Sequence, residues 1–439
     1  MKTIKYSAIL IAIMVLMIAF SCTKSSRVNI DADGYGKFNL KNGITVLINH
    51  DQSTAITAAD IIIKGGLFTE NAEDNGITYL MVKMLLKGND KMTADQIMDS
   101  LDFLGAQVAT DAYRDFADIS ITCLSENFPA TLSLIANSIL APAFSQTELD
   151  KLKIEVEGTL KAENDNQVES SRKLFRKTIY GNSGYGMPLL GTPETVNNIT
   201  LDQIKNHYQR LVSGPNMVIS IATDINPTEI APTLEKEFGS LSNQPVTLDV
   251  PQIISEKERE GFISFDRNQS FIHLGFPLPH LSASEVPNIL LLNEIMGANV
   301  GSRLWYLRQK EKLAYNVYSQ YSLNKYDALF LGAIGTDTSK VGIAVASLRR
   351  EMKKLYDEGI TESELADAKV SILKSLIYRI ERKSERAYTM ASYEIIGYGY
   401  KFVSELLRAT EGVTLDSINQ FAKKYLPEDK QYLAIVGKK

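Results

Sequence analysis

Two cysteines and four histidines are all that 439 residues carry, and that scarcity removes several chemistries at once. One cysteine, Cys22, directly follows a short apolar N-terminal run, which leaves Cys123 without a partner for a disulfide framework. Cys123 lies in a strand-like run and reads as a small buried apolar residue rather than a nucleophile. The histidines are His50, His207, His273 and His280, and no two lie three to five positions apart. No local histidine pair therefore exists to grip a metal, and all four read as surface or structural hydrogen-bonding groups. No G-x-S-x-G run and no recognisable Cys/His setting is present, which argues against an independent serine or cysteine hydrolase. The stretch Gly297 to Gly301 lacks the Gly-Lys-Ser/Thr ending of a phosphate loop and reads as a turn. Positive charge is not in excess: the formal net charge of −5 gives no electrostatic reason to expect nucleic acid as a partner. After residue 22 no apolar run approaches the roughly 20 residues that a membrane-spanning helix needs.

What is present begins with an export signal. Lys2 and Lys5 precede an almost wholly apolar run from Ala8 to Phe20, followed by Ser21 and Cys22. A cysteine after Ala19-Phe20-Ser21 resembles a bacterial lipobox, so residues 1–22 are expected to be a signal peptide with lipid attached at Cys22. Thr23-Lys24-Ser25-Ser26 carries no acidic cluster, which favours an exported, lipid-anchored protein of the cell envelope facing the periplasm. The remaining length suits two domains, and 44% apolar with 23% charged residues is ordinary globular composition.

Self-comparison gives those two domains. Thr200-Leu201-Asp202-Gln203-Ile204 returns as Thr414-Leu415-Asp416-Ser417-Ile418, and each copy leads through a tyrosine-bearing helix end to an apolar strand. Upstream, Thr147-Glu148-Leu149 corresponds to Ser363-Glu364-Leu365, each opening a long charged helix. In the first copy Asn42-Gly43 signals a hairpin, and Thr57 to Ile63 reads as a strand. Ile77, Leu80, Met81, Met84 and Leu85 then keep helical spacing until Gly88. Further helices are expected over Thr93 to Leu104, over Pro129 to Leu140 and from Thr147, with two alternating strands around Asp111. Paired strands separated by helices predict an α+β fold of two homologous domains, each a mostly antiparallel sheet packed with helices. The expected limits are 30–242 and 262–439, joined over 243–261, where Pro245, Pro251 and the charged run from Glu256 to Glu260 break regular structure.

Two runs carry a resemblance. Gly76 to Asn89, ending in Lys87-Gly88, has the shape of a helix that elsewhere holds H-x-x-E-H. Gly297 to Leu304, continuing through Leu307 to Val317, resembles a second-domain signature. Together with the repeat they make the chain similar to the insulinase/pitrilysin zinc peptidases over essentially its whole mature length. In active members two histidines on one helix face bind zinc and the glutamate between them activates water. Here the resemblance places Tyr79 and Lys83 at the histidine positions, Val82 at the glutamate, and Thr159 at the glutamate ligand of the long helix. The supporting acid becomes Leu152. A valine cannot deprotonate water and a lysine ammonium repels a divalent cation, so no metal and no catalytic residue is expected in this chain. Tyr79, Val82, Lys83 and Leu86 are expected on the helix face opposite the core stripe.

The second signature keeps the pair that the family turns towards substrate: Arg308 and Tyr315, seven apart. The resemblance implies a non-catalytic subunit, inactive alone, that binds an extended peptide and completes the chamber of a zinc-bearing partner. Zinc is then expected only in that partner. The competing reading is a peptide-binding or scaffold lipoprotein with no proteolytic partner.

Overall fold

The computed structural model describes residues 29–249, 259–298 and 300–438. The export signal, Cys22 included, and residues 250–258 of the expected linker lie outside the described residues. In the first half the chain runs through β1 (Tyr35–Asn39), β2 (Thr45–His50), β3 (Ile56–Lys64), α1 (Ile77–Met84) and α2 (Ala94–Phe103). It continues as β4 (Gln107–Ala112), β5 (Phe116–Leu124), α3 (Phe128–Leu140), α4 (Gln146–Asp165) and α5 (Gln167–Tyr180). α6 (Pro193–Asn198), α7 (Leu201–Leu211), β6 (Met217–Thr223) and α8 (Pro227–Phe238) complete it. The second half opens with β7 (Glu260–Ser264), β8 (Gln269–Pro279), α9 (Val286–Asn293), α10 (Trp305–Gln309), β9 (Asn316–Leu323) and β10 (Asp327–Asp337). It ends with α11 (Val341–Asp357), α12 (Glu362–Glu381), α13 (Lys383–Ile396), α14 (Phe402–Gly412), α15 (Leu415–Tyr425) and β11 (Tyr432–Gly437).

Local chemistry sets these limits. Asn42-Gly43 turns β1 into β2, with Gly43 at φ +89°. Thr200 and Thr414, the matched threonines of the repeat, each close a capping box, with Gln203 and Ser417 respectively. Such a cap stabilises a helix by about 1 kcal/mol. Asp111, expected between two strands, lies inside β4, and the turn falls at Tyr113 to Asp115.

Each half builds a mixed sheet, in the order β1-β2-β6-β3-β5-β4 and β7-β11-β8-β10-β9. The two superpose in plan: β2/β6 and β7/β11 are the parallel pairs, and the other neighbours are antiparallel. The α+β expectation is met. Helices of the same half cover one face of each sheet and form the two large cores.

The other face of each sheet is covered by a helix from the opposite half. α4 and α12 are both 20 residues long, each followed after one extended residue by a 14-residue helix. That joint, Asn166 or Arg382, redirects the chain, and Asn166 also caps α5 by accepting from the Val168 amide at 2.9 Å. α5 lies on β8 and β11 of the second sheet, and α13 on β3 and β6 of the first. Phe175 and Ile179 of α5 pack with Phe271, Leu331 and Tyr432. Met390, Ala391 and Ile395 of α13 pack with Leu47, Ile62, Phe116 and Val218. A fully buried side chain of this size contributes roughly 1.5–3 kcal/mol, so the exchange binds the halves as a core does.

The β4–β5 and β9–β10 turns meet at the seam. The Lys325 amide donates to Asp115 Oδ2 at 3.1 Å, and Phe68 stands edge-on to Tyr326 at 5.4 Å. Tyr180 donates to Asp327 across the halves, and Tyr185 donates to Asp115. Burial raises the Asp327 carboxyl to about 6 against these hydrogen bonds.

Candidate functional site

The helix that matters most, α1, is fastened at its N-terminus by a buried acid. Glu70 accepts from the amides of Gly76 (2.7 Å) and Thr78 (3.0 Å) and from the Asn75 side chain (2.9 Å). A carboxylate there complements the helix dipole. Burial nonetheless raises it to about 7 despite those donors. Gly76 has φ +98°, and a Cβ on it would come within 2.8 Å of the Leu190 carbonyl. Thr78 pairs with His207 Nε2 at 2.9 Å, while Arg210 donates to His207 Nδ1 at 3.0 Å. Nδ1 therefore accepts and Nε2 carries the proton. Burial, helped by Arg210, lowers His207 to about 3, so it is neutral and structural. His273 is likewise wholly buried, paired with Ser171 at 2.8 Å.

Three of the four positions that the resemblance assigns to the metal site, Tyr79, Val82 and Lys83, lie on α1, and the fourth, Thr159, lies on α4. Lys83 donates to the Thr110 carbonyl of β4, and its ammonium lies 5.1 Å from the centre of the Tyr79 ring. Burial lowers the Lys83 pKa and raises that of Tyr79, while nearby Asp111 and Glu155 favour the charged lysine. An ammonium thus stands near the Asp111 and Glu155 carboxylates at a position that the resemblance gives to a metal ligand. Thr159 on α4 is exposed and donates to the Glu155 carbonyl of its own helix at 3.1 Å. Leu152 is buried in the core. The expectation that Val82 shares an outward face fails: Val82 is completely buried and belongs to the first core. α4, α7 and β4 pack around α1, so the face opposite the first apolar stripe is covered as well. A glutamate there would bury a charge at a cost of several kcal/mol. The set Tyr79, Val82, Lys83 and Thr159 does not fit a zinc ion. Among the described residues no group of three His, Cys, Asp or Glu side chains is placed to hold one.

Arg308 and Tyr315 take different settings. Arg308 is exposed on α10, its guanidinium 4.7 Å from the Trp305 ring centre. Tyr315 leads into β9, is 59% exposed, and anchors its amide to the Gly335 carbonyl at 2.9 Å. It borders a cleft of about 710 Å³ between the α4–α5 joint and the second sheet, together with Gln167, Val168, Asn268 and Phe271. No hydrogen bond or ring contact joins Arg308 to Tyr315 among the described residues, and only Tyr315 borders the cleft. Gly297 serves packing: a Cβ on it would come within 2.2 Å of the Ser319 amide nitrogen.

Two family profiles match the chain: "Insulinase (Peptidase family M16)" over residues 45–193, and "Peptidase M16 inactive domain" over residues 198–371, which begins within the first half. The chain belongs to the insulinase family, peptidase M16. A Bacillus subtilis relative described as "Uncharacterized zinc protease YmxG" is 25% identical over 396 residues, 90% of this chain and 96% of its own. The "Non-peptidase homolog YmxG" of Helicobacter pylori is 23% identical over 381 residues, 86% of this chain and 88% of its own. The crystal structure of a peptidase M16 inactive domain from Pseudomonas fluorescens shares the fold, with TM-score 0.87 and 20% identity. It covers 92% of this chain and 98% of that one. A Helicobacter pylori protease matches with TM-score 0.86 and 18% identity, over 92% and 99% of the two chains. Within the insulinase family, the inactive-domain profile and the non-peptidase relative fit an inactive homologue.

The sequence reading passed over two buried acids, Asp60 and Asp118, at 3% and 5% exposure on neighbouring strands. The signal was available: each interrupts an otherwise apolar strand, Ala58-Ala59-Asp60-Ile61 and Phe116-Ala117-Asp118-Ile119.

Proposed function

We propose that this chain is a non-catalytic subunit of an insulinase-family metallopeptidase in the cell envelope. It binds extended peptides and completes the chamber of a zinc-bearing partner. One observation carries the reading: the ammonium of Lys83, which the resemblance sets at a metal-ligand position, is held by the Thr110 carbonyl, while Arg308 and Tyr315 are exposed. A guanidinium and a phenol donate hydrogen bonds to a peptide carbonyl and to the negative charge that develops on it during cleavage. Neither task requires a metal in this chain. The name of the Helicobacter pylori non-peptidase relative supports the same direction. Lipid on Cys22 would hold the subunit at the membrane, since several acyl chains anchor firmly where one does not.

The experiment is reconstitution. The isolated chain is mixed with a separately purified family member that carries an intact H-x-x-E-H, and cleavage of unstructured peptides is followed. The chain alone is expected to be inert and the mixture active. Arg308→Ala should lower the activity of the mixture by about 10²-fold, the usual effect of losing one donor to a developing oxyanion. Full activity of the Arg308→Ala mixture would remove the substrate role.

A further inference from the structure

A second polar cavity lies apart from the metal locus, on the face of the first sheet that α13 crosses. It has a volume of about 370 Å³ and is walled by Asp60, Asp118, Glu385, Tyr113 and Tyr388, with the Ser120 and Thr122 positions beside them. Asp60 faces Ser120 across β3 and β5, and Asp118 faces Ile62, so the two carboxyls sit diagonally on one side of the sheet. Both are almost fully buried, yet no protein donor reaches Asp118 Oδ1. The nearest cations of α13 are committed elsewhere: Lys383 to the carbonyls of Thr54 (2.7 Å) and Ile56 (2.9 Å), Arg386 to Asp51 (2.9 Å) and Asn49 (2.6 Å). Three carboxyl groups and no cation line the cavity.

Two buried carboxylates side by side cannot both stay ionised without a counter-charge. Burial raises both acids, with the Asp118 charge adding to it at Asp60 and the Asp111 charge at Asp118, and a proton shared between the pair is what the empty cavity offers. A cation with several hydrogen-bond donors would replace that proton and satisfy Asp118 Oδ1. The planar fork of a guanidinium matches paired carboxylates and stacks on aromatic faces. The rings of Tyr113 and Tyr388, 5.8 Å apart, supply such faces at the mouth.

We infer that the cavity between Asp60, Asp118 and Glu385 is a binding site for a guanidinium group, walled by Tyr113 and Tyr388. The occupant is either a small guanidinium compound or an arginine side chain of a peptide. Occupancy expels the shared proton, so affinity rises with pH. The ionisable groups that face the acids are Asp111 from β4, Tyr113 from the β4–β5 turn, Asp118 diagonally across from Asp60, and Glu385 and Tyr388 from α13. All are acids or phenols, so none supplies positive charge. The inference stands independently of the chamber assigned to Arg308 and Tyr315.

Calorimetric titration of the full chain tests it, with methylguanidinium, end-blocked arginine and end-blocked citrulline as probes. A guanidinium probe is expected to bind once per chain at about pH 8, about tenfold more weakly at about pH 5.5, with proton release seen by changing buffer. Stronger binding of blocked arginine than of methylguanidinium assigns the site to peptides; equal binding assigns it to small cations. Asp118→Asn should abolish binding. Glu385→Gln, at an exposed position that leaves the fold intact, should weaken it about threefold. Absence of binding at millimolar probe, equal binding of citrulline, or affinity indifferent to pH and to Glu385→Gln would overturn the assignment.

Discussion

The two exchanged helices do the same architectural job with opposite chemistry. Under α5 the second sheet presents an apolar and aromatic surface, with Phe175 stacked on a wholly buried His273 at 5.9 Å. Under α13 the first sheet adds two buried acids beside its apolar patch of Leu47, Ile62, Phe116 and Val218, and the helix is held at its start by charge: Lys383 on two carbonyls and Arg386 on Asp51. The difference teaches that the duplicated fold needs each crossing helix for closure but leaves its contact chemistry free.

The largest expected effect separates these two clasps. Phe175→Ala removes a fully buried ring from the apolar clasp and should cost about 3–5 kcal/mol in urea unfolding. Met390→Ala, in the other clasp, should cost about 2–3 kcal/mol. If Phe175→Ala left the midpoint in place, the exchange would not be a core contact.

Asp118→Asn should act in the other direction. It removes a buried acid without a donor, so the variant is expected to be more stable at about pH 8 by roughly 1–3 kcal/mol. The gain should fade by about pH 5, where the acid is protonated. A loss of stability at high pH would mean that an unseen counter-charge already serves the pair.

Acid and base should then distinguish the clasps. His273 holds a proton only below about 3 when folded, because burial first and Arg172 and Arg176 next oppose its charge, against 6.5 when free. Between those values the unfolded chain binds more protons, so the apolar clasp gains stability as pH rises from 3 to 6.5. Asp118, raised to about 7 by burial, binds its proton more tightly when folded than its ordinary 3.8, so the acidic clasp loses stability as pH rises across that interval. Melting curves of His273→Gln and Asp118→Asn against pH should each flatten one limb. The smallest effect belongs to Arg308→Ala, which should shift stability by less than about 0.5 kcal/mol because the side chain is exposed.

Much of this was legible in the sequence because it is local or repeated. Asn42-Gly43, the Gly76-to-Gly88 run and the capping threonines Thr200 and Thr414 announce their elements by residue type and spacing. The positions assigned to the metal rest on the resemblance, through a fixed spacing along α1 and a further position on α4. The exchange was not legible, because α5 and α13 each carry an apolar stripe that does not say which sheet it meets. Val82 was misplaced for a related reason: periodicity gives a helix one inner face, whereas α1 is enclosed on several sides by α4, α7 and β4. Asp60 and Asp118 become a pair only through the β3–β5 register, which joins residues far apart in the chain.

Tyr79, Val82, Lys83 and Thr159 are expected to leave this insulinase-family chain without a hydrolytic metal. Elemental analysis of the pure, undialysed protein, alongside peptide cleavage with and without chelator, tests it directly. The expected result is zinc far below one per chain and no cleavage. One tightly held zinc per chain with chelator-sensitive turnover would contradict it.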